Sequence, residues 1–452
     1  MSTRREFIQK ATMVTLAGAI SADSVLAADE KKEGIEAMET EAKAGGTAAE
    51  GIRSVTARDE TLRRVGGGGM FPGLTWSADD QQLLPVVEGA GWPGLPKDLY
   101  VESALVAVSG QPENVQFHAV PGFPYYPIRE CYRVNGSPVY SSSTALAVDG
   151  HIYFFCSAFG DAWKIVGDYF VLHKDRGQKL IYSPDNGRTW RNQNGSSPVV
   201  WETAKQQSSQ TMALWKEPQD ALAGLSFLQM GRDYRDNRDG YVYIYGLKGG
   251  AKVNELAMFR VPKTQVLDRG FYEYFAGLQS AGAPKWTKDI SARAAVHSFP
   301  LGSGAYGDWH LGSVAYNAPL GVYMMVGFIG GLVEFLNINE FELPKNVLGL
   351  WTARNPWGPW TQVAEIDPWF PGGDFNAHVL SLTIAPKWIS EDGKSFWIVW
   401  CDVQHSSDWR PEIYKEWLYA KTDDEATRLT VKYRATHPQV RFNTQRVDLN
   451  VA

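Results

Sequence analysis

The sequence predicts an all-β fold, a five-bladed β-propeller, from three observations. A hairpin pattern, in which two apolar runs flank a tight turn, recurs five times at intervals of 70 to 90 residues. Aromatic residues make up 13% of the chain and 44 glycines punctuate them, as is typical of strands and turns. Residues 183–190 also match the Asp-box, Ser-x-Asp-x-Gly-x-Thr-Trp, which indicates a propeller or a related β-repeat.

Residues 1–27 predict a signal for export by the twin-arginine route. Arg4 and Arg5 form the arginine pair, and the apolar stretch over residues 11–22 is too short to span a bilayer. Ala27 ends a group of small residues that is suited to cleavage. We therefore expect a periplasmic or secreted protein without stable membrane insertion.

Two regions follow the signal. Residues 28–69 are rich in Ala, Glu, Lys and Gly and poor in large apolar residues, which predicts a flexible linker. Apolar strands begin near residue 70, so residues 70–452 form the predicted propeller domain, which we expect to carry the activity.

The five hairpins predict the two inner strands of each blade, and another apolar run supplies a third. Asp-Gly pairs such as Asp149-Gly150 supply the positive φ angles of a tight hairpin. The hairpin spacing exceeds the ~40–50 residues of compact propeller repeats, which favours five elaborated blades over the alternative of seven compact ones. The predicted strands cover residues 74–77, 83–87 and 99–108 in blade one; 143–148, 151–155 and 179–183 in blade two; 225–230, 241–245 and 255–261 in blade three; 313–316, 322–326 and 349–353 in blade four; and 379–384, 396–400 and 416–420 in blade five.

The Asp-box lies at the outer edge of predicted blade two. Ser183 and Asp185 are expected to cap a hairpin turn, and Trp190 is expected to pack between strands. Because such hairpins usually lie far from the chemistry, we predict a structural role for Asp185.

Charge, cysteine content and missing motifs exclude several function classes. The net charge of -6, without a long basic run, argues against nucleic acid as a partner. Three cysteines argue against a disulfide framework, although one bridge is possible in an oxidising compartment. No G-x-S-x-G elbow, phosphate loop, H-E-x-x-H or dinucleotide fingerprint occurs in a suitable context. The sequence therefore argues against serine hydrolases, nucleotide enzymes and helical metalloproteases. We predict no cofactor, with a structural metal at the funnel as the alternative.

Acidic, imidazole and aromatic side chains converge on one predicted mouth of the funnel. The two inner strands of a blade are antiparallel, so the start of the first and the end of the second lie at the same end. Candidate catalytic carboxylates at these positions are Glu88, Asp161, Asp308 and Asp402. Candidate substrate-binding residues there are Trp92, Trp163, Tyr140, His310, His378 and His405.

This set of residues suits cleavage of a glycan. Two carboxylates can act as a general acid and a base or nucleophile, and Glu88 with Asp161 is the leading pair. Tryptophan rings can stack on sugars, and histidines can accept protons or hold a metal. The structural alternative stays open, since Asp and His at strand ends often cap turns and Trp can fill gaps between blades.

Several segments resemble a known family of secreted bacterial proteins, domain of unknown function 4185. They are residues 73–80 with 88–92, 237–245, 260–263 and 355–360. The resemblance covers most of the chain from about residue 70 to 421. It implies a five-bladed propeller, and it implies that some members are glycoside hydrolases that cut D-arabinan with acidic residues in the funnel. The family more often has an aspartate where this chain has Glu88.

Three functions remain as hypotheses, each with a glycan as the partner and a monomer as the expected state. The leading one is an exported glycoside hydrolase. The second is a polysaccharide lyase, in which a His or Tyr base performs β-elimination at a uronate. The third is a glycan-binding propeller without catalysis.

Overall fold

A computed structural model of the chain shows five groups of antiparallel strands that follow one another along the sequence. The structure describes residues 51–95, 101–127, 139–159, 164–166, 169–171, 175–250, 252, 254–280, 282–300, 309–330, 346–374, 377–404, 416, 425 and 440–451.

Each group forms one blade, and a short parallel pairing joins blades three and four into one ten-stranded sheet. Strand β1 (Ile52–Val65) precedes blade one, which has β2 (Gly68–Met70), β3 (Thr75–Trp76), β4 (Gln82–Ala90), β5 (Val101–Ser109), β6 (Gln116–Ala119) and β7 (Tyr126–Pro127). Blade two has β8 (Val139–Val148), β9 (His151–Phe159), β12 (Asp175–Ser183), β13 (Arg191–Asn192) and β14 (Leu214–Trp215), with the separate pair β10 (Lys164–Val166) and β11 (Tyr169–Val171) inserted after β9.

The remaining blades repeat this arrangement. Blade three has β15 (Ser226–Gln229), β16 (Tyr241–Leu247), β17 (Glu255–Pro262), β18 (Glu273–Leu278), β19 (Pro284–Thr287) and β20 (His297–Ser298). Blade four has β21 (His310–Asn317), β22 (Val322–Ile329), β23 (Val347–Ala353) and β24 (Thr361–Ile366), and blade five has β25 (Ala377–Ile384), β26 (Ser395–Gln404) and β27 (Val440–Val451).

Short 3-10 helices lie in the connections between strands. They are Pro218–Asp220, Arg232–Tyr234, Lys263–Gln265, Arg269–Phe271, Ile290–Ala292, Pro371–Gly373 and Pro386–Trp388. Within the described ranges, no helix has the length and apolar character needed to cross a membrane.

The inner strands are apolar on both faces because each blade is covered by a blade on either side. Strand β9, for example, is buried at seven of its nine positions. The β8–β9 turn has Asp149 at φ 50° and Gly150 at φ 76°, as a tight right-twisted hairpin requires. The predicted inner strands of all five blades are confirmed.

Hydroxyl groups on the innermost strands join neighbouring blades into a ring. In each case the hydroxyl oxygen accepts a hydrogen bond from a backbone N–H of the next blade. Between blades three and four, a short parallel pairing of β15 with β21 takes this role. The hydroxyl bonds run from Ala147 to Thr75 (2.8 Å), Phe227 to Thr144 (3.2 Å), Ile384 to Ser313 (2.8 Å) and Phe71 to Ser381 (2.9 Å). The fold is therefore a five-bladed propeller, and the seven-bladed alternative is wrong.

Blade five corrects two sequence predictions. Its third strand is β27, whereas the predicted strand at 416–420 lies almost wholly outside the described residues. Its fourth strand is β1, which pairs with β27 over most of its length. The linker predicted over residues 28–69 is therefore wrong from Ile52 onward. As an outer edge strand, β1 buries few side chains, which gives it the polar composition of a linker.

The Asp-box forms the hairpin between β12 and β13. The Asp185 carboxylate accepts hydrogen bonds from Ser183 Oγ (2.8 Å), the Thr189 backbone N–H (2.8 Å) and Thr189 Oγ1 (2.7 Å). Trp190 is buried against Phe123, with ring centroids 4.9 Å apart. The structural role predicted for Asp185 is confirmed.

Candidate active site

One end of the ring, opposite the five hairpin turns, gathers the residues from which a site can be built. We call it the mouth. Glu88 lies near the end of β4, Glu102 at the start of β5, and Ser141 at the start of β8. Asp402 lies near the end of β26 in blade five. Strand direction alone brings these residues to the same end, as the sequence predicted for Glu88 and Asp402.

A β-bulge places Glu88. Gly68 pairs with Ala90 and Met70 pairs with Val87, so β4 has one residue more than β2 in this interval. Glu88 has φ 48°, a left-handed conformation that is uncommon for a residue with a side chain. Such backbone strain is concentrated at functional sites, and a bulge re-aims the side chain that it carries.

The bulge depends on a close approach of two backbones. A Cβ atom at Gly89 would lie 2.2 Å from the Val86 side chain and 2.8 Å from the Gly68 carbonyl oxygen. In blades two, four and five, the extra residue lies on the innermost strand instead, at 143, 312 and 380. Blade one therefore departs from its neighbours at the position of Glu88.

Glu88 and Glu102 form a pair of carboxyls on adjacent strands. Val86 pairs with Ala104 and Gly89 pairs with Val101, so the register places Glu88 opposite Glu102. Burial raises the pKa of Glu88 to about 7. Burial and the nearby Glu88 charge raise the pKa of Glu102 well above its usual range, while the Ser141 hydroxyl lowers it. Two such carboxyls do not both ionise at neutral pH.

Hydroxyl groups fasten this pair to blade two. Ser141 Oγ donates a hydrogen bond to Glu102 Oε1. Ser142 Oγ donates to the Val86 carbonyl oxygen (2.9 Å) and lies 2.8 Å from Ser103 Oγ. The start of β8 is thus tied to both strands that carry the carboxyls.

The sequence did not single out Glu102 as a site residue. It lies within the apolar run that was predicted as the third strand of blade one, and it is only 3% exposed. One signal was present, because an acid within an otherwise apolar strand has to be paired, protonated or functional.

Tyr140 is not the substrate contact that the sequence predicted. It is fully buried, and its hydroxyl donates to the Glu202 carbonyl oxygen (2.9 Å) and accepts from Gln207 Nε2 (3.2 Å). Glu202 in turn binds the buried Lys179 ammonium at 2.8 Å. Tyr140 therefore anchors the loop that carries Glu202 and Gln207.

The prediction that Trp92 stacks on a sugar is also wrong. Its side chain is 2% exposed, and its indole Nε1 donates to the Gly68 carbonyl oxygen at 2.9 Å. The ring packs edge-on against Phe71 and Phe117, with centroids 5.8 and 5.2 Å away. Trp92 thus belongs to the core that supports the bulge.

Asp402, a predicted catalytic carboxylate, belongs to an ion-pair cluster. Its carboxylate is 1% exposed and lies 3.3 Å from Arg64 Nη2, which is also 2.7 Å from Asp374 Oδ2. Asn443 donates a further hydrogen bond to Asp402. Because Arg64 comes from β1, the edge strand of blade five contributes a cation to the mouth.

The other candidates are placed only in part. His310 begins β21 and lies against Phe328, with ring centroids 5.3 Å apart. His378 belongs to β25. Asp161, Trp163, Asp308 and His405 lie outside the described residues. Over the part of the chain that is described, no three His, Cys, Asp or Glu side chains are grouped as metal ligands would be.

A family model matches residues 142–368, and its description is domain of unknown function, DUF4185. No curated protein matches the chain.

Solved structures show a distant likeness. A protein from Bacteroides ovatus is 12% identical, with 90% of this chain and 93% of that chain covered and a TM-score of 0.46. A GH43_1 enzyme from Xanthomonas citri, complexed with xylose, is 11% identical, with 85% and 90% covered and a TM-score of 0.37. The catalytic domain of a GH62 α-L-arabinofuranosidase from Coprinopsis cinerea is 7% identical, with 86% and 93% covered and a TM-score of 0.38. Since all three scores are below 0.5, the function of this chain has to be inferred from its own residues.

Proposed function

The chain belongs to the family described as domain of unknown function 4185, and we propose that it is an exported glycoside hydrolase with Glu88 as its general acid. The observation that carries this proposal is the bulged position of Glu88 at the mouth. The side chain keeps partial contact with solvent, whereas burial raises its pKa to about 7. A general acid works best when its pKa lies near the operating pH.

In the proposed reaction, the Glu88 carboxyl donates its proton to the oxygen of the glycosidic bond as that bond breaks. A second carboxylate from another part of the mouth either activates water or attacks the sugar carbon directly. Asp161 and Asp308, which the sequence directs to this mouth, are the proposed candidates for that role. Asp402 is not one of them, because its carboxylate is buried against Arg64.

The two other hypotheses are weaker on these observations. A lyase needs an accessible base, and the burial of Tyr140 removes one of the candidates. A propeller that only binds glycans has no need of a strained backbone that carries a buried carboxyl into the mouth. We also propose export by the twin-arginine route, which would bring the enzyme to glycans outside the cytoplasm.

A screen of plant, algal and bacterial polysaccharides, with D-arabinan included, tests the proposal. Reducing ends report hydrolysis, and ultraviolet absorbance reports the unsaturated uronate that a lyase would produce. We expect reducing ends without absorbance from the wild type, and almost none from Glu88→Gln. Glu391→Gln is the matched control, since this exposed glutamate lies in the hairpin turn of blade five, at the opposite end of the ring.

Absorbance without hydrolysis would favour the lyase. Binding without any product over long incubation would favour the non-catalytic propeller. Full hydrolysis by Glu88→Gln would overturn the role of Glu88.

A further inference from the structure

Glu102 differs from the other buried acidic residues in the described ranges. Four of them have a cation within ion-pair distance, whereas no ion pair joins Glu102 to a cation among the described residues. The ion pairs are Glu202 with Lys179 (2.8 Å), Glu217 with Arg269 (2.5 Å), Glu255 with Lys248 (2.5 Å) and Asp402 with Arg64 (3.3 Å). A buried carboxylate without a cation takes up a proton instead of bearing the cost of its charge.

We propose that Glu102 is a positioning residue that stays protonated and aligns Glu88, and that it is not the second catalytic carboxylate. This inference rests on the proposed function of Glu88 as the acid. The register of β4 and β5 sets the two side chains opposite each other, and Ser141 fixes one oxygen of Glu102. A protonated carboxyl still has one O–H to donate, and its other oxygen can carry that proton.

Among the described residues, the groups around Glu102 add no compensating charge. Strand β4 contributes Glu88, and β8 contributes the hydroxyl of Ser141. Strand β9 contributes Cys156, and burial raises the pKa of that thiol to about 12, so it stays neutral. Lys179 of β12 is bound to Glu202.

The two carboxyls of the pair therefore have different roles. Near neutral pH, Glu88 gains and releases a proton while Glu102 keeps its own. The pair therefore holds two protons below the pKa of Glu88 and one proton above it. Glu102 is almost completely shielded from solvent. In this proposal it does not contact the sugar. Its contribution is to hold Glu88 in one orientation through a neutral contact.

Replacement of Glu102 by glutamine separates this role from that of a second catalytic carboxylate. Glutamine keeps the shape of a protonated glutamate and retains a donor. We expect Glu102→Gln to keep kcat within about tenfold of the wild type and to leave the fall of activity near pH 7 in place, whereas Glu102→Ala loses more. A catalytic carboxylate would instead lose about 10²–10⁴-fold on change to glutamine, which would overturn the proposal.

Infrared spectroscopy of the full chain tests the protonation without any need for activity. At about pH 8.5, above the titration of Glu88, we expect the carbonyl stretch of one buried carboxylic acid. The band should vanish in Glu102→Gln, remain in Glu88→Gln and in the control Glu391→Gln, and shift in frequency in Ser141→Ala. A wild type without this band, or a band unchanged in Glu102→Gln, overturns the inference.

The two proposals can fail separately. If no glycan is cleaved but the band behaves as expected, the hydrolase is wrong and the protonated Glu102 stands. If glycans are cleaved and Glu102→Gln is inactive though folded by circular dichroism, the positioning role is wrong and the hydrolase stands.

Discussion

Blade one and blade five both place two acidic residues at the mouth, but they treat the charges in opposite ways. Blade five supplies Arg64 between Asp374 and Asp402, so its carboxylates are neutralised within a structural cluster. Blade one sets Glu88 opposite Glu102 without a cation in ion-pair contact among the described residues, and both pKa values rise. Position at the mouth alone therefore does not identify a catalytic acid, whereas the two pairs differ in whether a described cation compensates their charge.

The largest expected effect tests whether blade one alone carries the chemistry. Glu88→Gln removes the proposed acid, and we expect kcat on a glycan that the wild type hydrolyses to fall by about 10²–10⁴-fold. Asp402→Asn should leave the kcat of the folded fraction within about tenfold, because Asp402 does not transfer a proton in this proposal. Equal losses in both variants would break the comparison between the blades.

Removal of the Arg64 cation tests the acidic cluster of blade five. Arg64→Leu removes the cation beside the buried Asp402 carboxylate, and we expect the free energy of unfolding at neutral pH to fall by about 3 kcal/mol, measured by urea denaturation. The control is Arg58→Leu on the same strand, where an exposed arginine pairs with Asp448 and should matter little. An unchanged stability in Arg64→Leu would show that the cluster in blade five is not what holds Asp402.

The raised pKa of Glu88 predicts a cost in stability. Unfolding returns Glu88 to its ordinary pKa of 4.5, so between pH 4.5 and about 7 the folded state binds more protons than the unfolded state. Stability should therefore fall as pH rises through this window, by about 3 kcal/mol in total. Glu88→Gln should recover about this amount at pH 8, measured by urea denaturation, while it loses activity. A variant that is less stable than the wild type at that pH would contradict the burial of an ionised Glu88.

The sequence could predict much of the fold because hairpin turns and apolar runs are local signals. The pair Asp149-Gly150 is enough to predict its turn, and the apolar run that forms β9 can be recognised without information about the neighbouring blades. Strand β1 could not be recognised, because an edge strand has few buried positions and its partner is 390 residues away in the Arg58–Asp448 contact.

The site could be predicted only as far as strand direction determines it. The direction of β4 puts Glu88 at the mouth, but Trp92, four residues later, turns back into the core beneath the bulge. Which acid is neutralised depends on Arg64, a residue from the other end of the chain. Charge compensation is a tertiary property, and for this reason sequence reasoning kept Asp402 among the catalytic candidates beside the leading pair of Glu88 and Asp161.

The smallest expected effect concerns the seam, which is the hydrogen-bonded contact between blade five and blade one. Ser381 of blade five accepts the backbone N–H of Phe71 in blade one, and Ser313 makes the same kind of bond between blades four and five. Removal of either hydroxyl leaves a buried N–H unsatisfied, so Ser381→Ala and Ser313→Ala should each lower the free energy of unfolding by about 1–2 kcal/mol. We expect both variants to keep the kcat of the wild type, because the bulge in β4 fixes Glu88 without help from the seam. If Ser381→Ala alone lowered kcat by more than about tenfold, the geometry of blade one would depend on blade five, and the two acidic clusters would have to be treated as one coupled site.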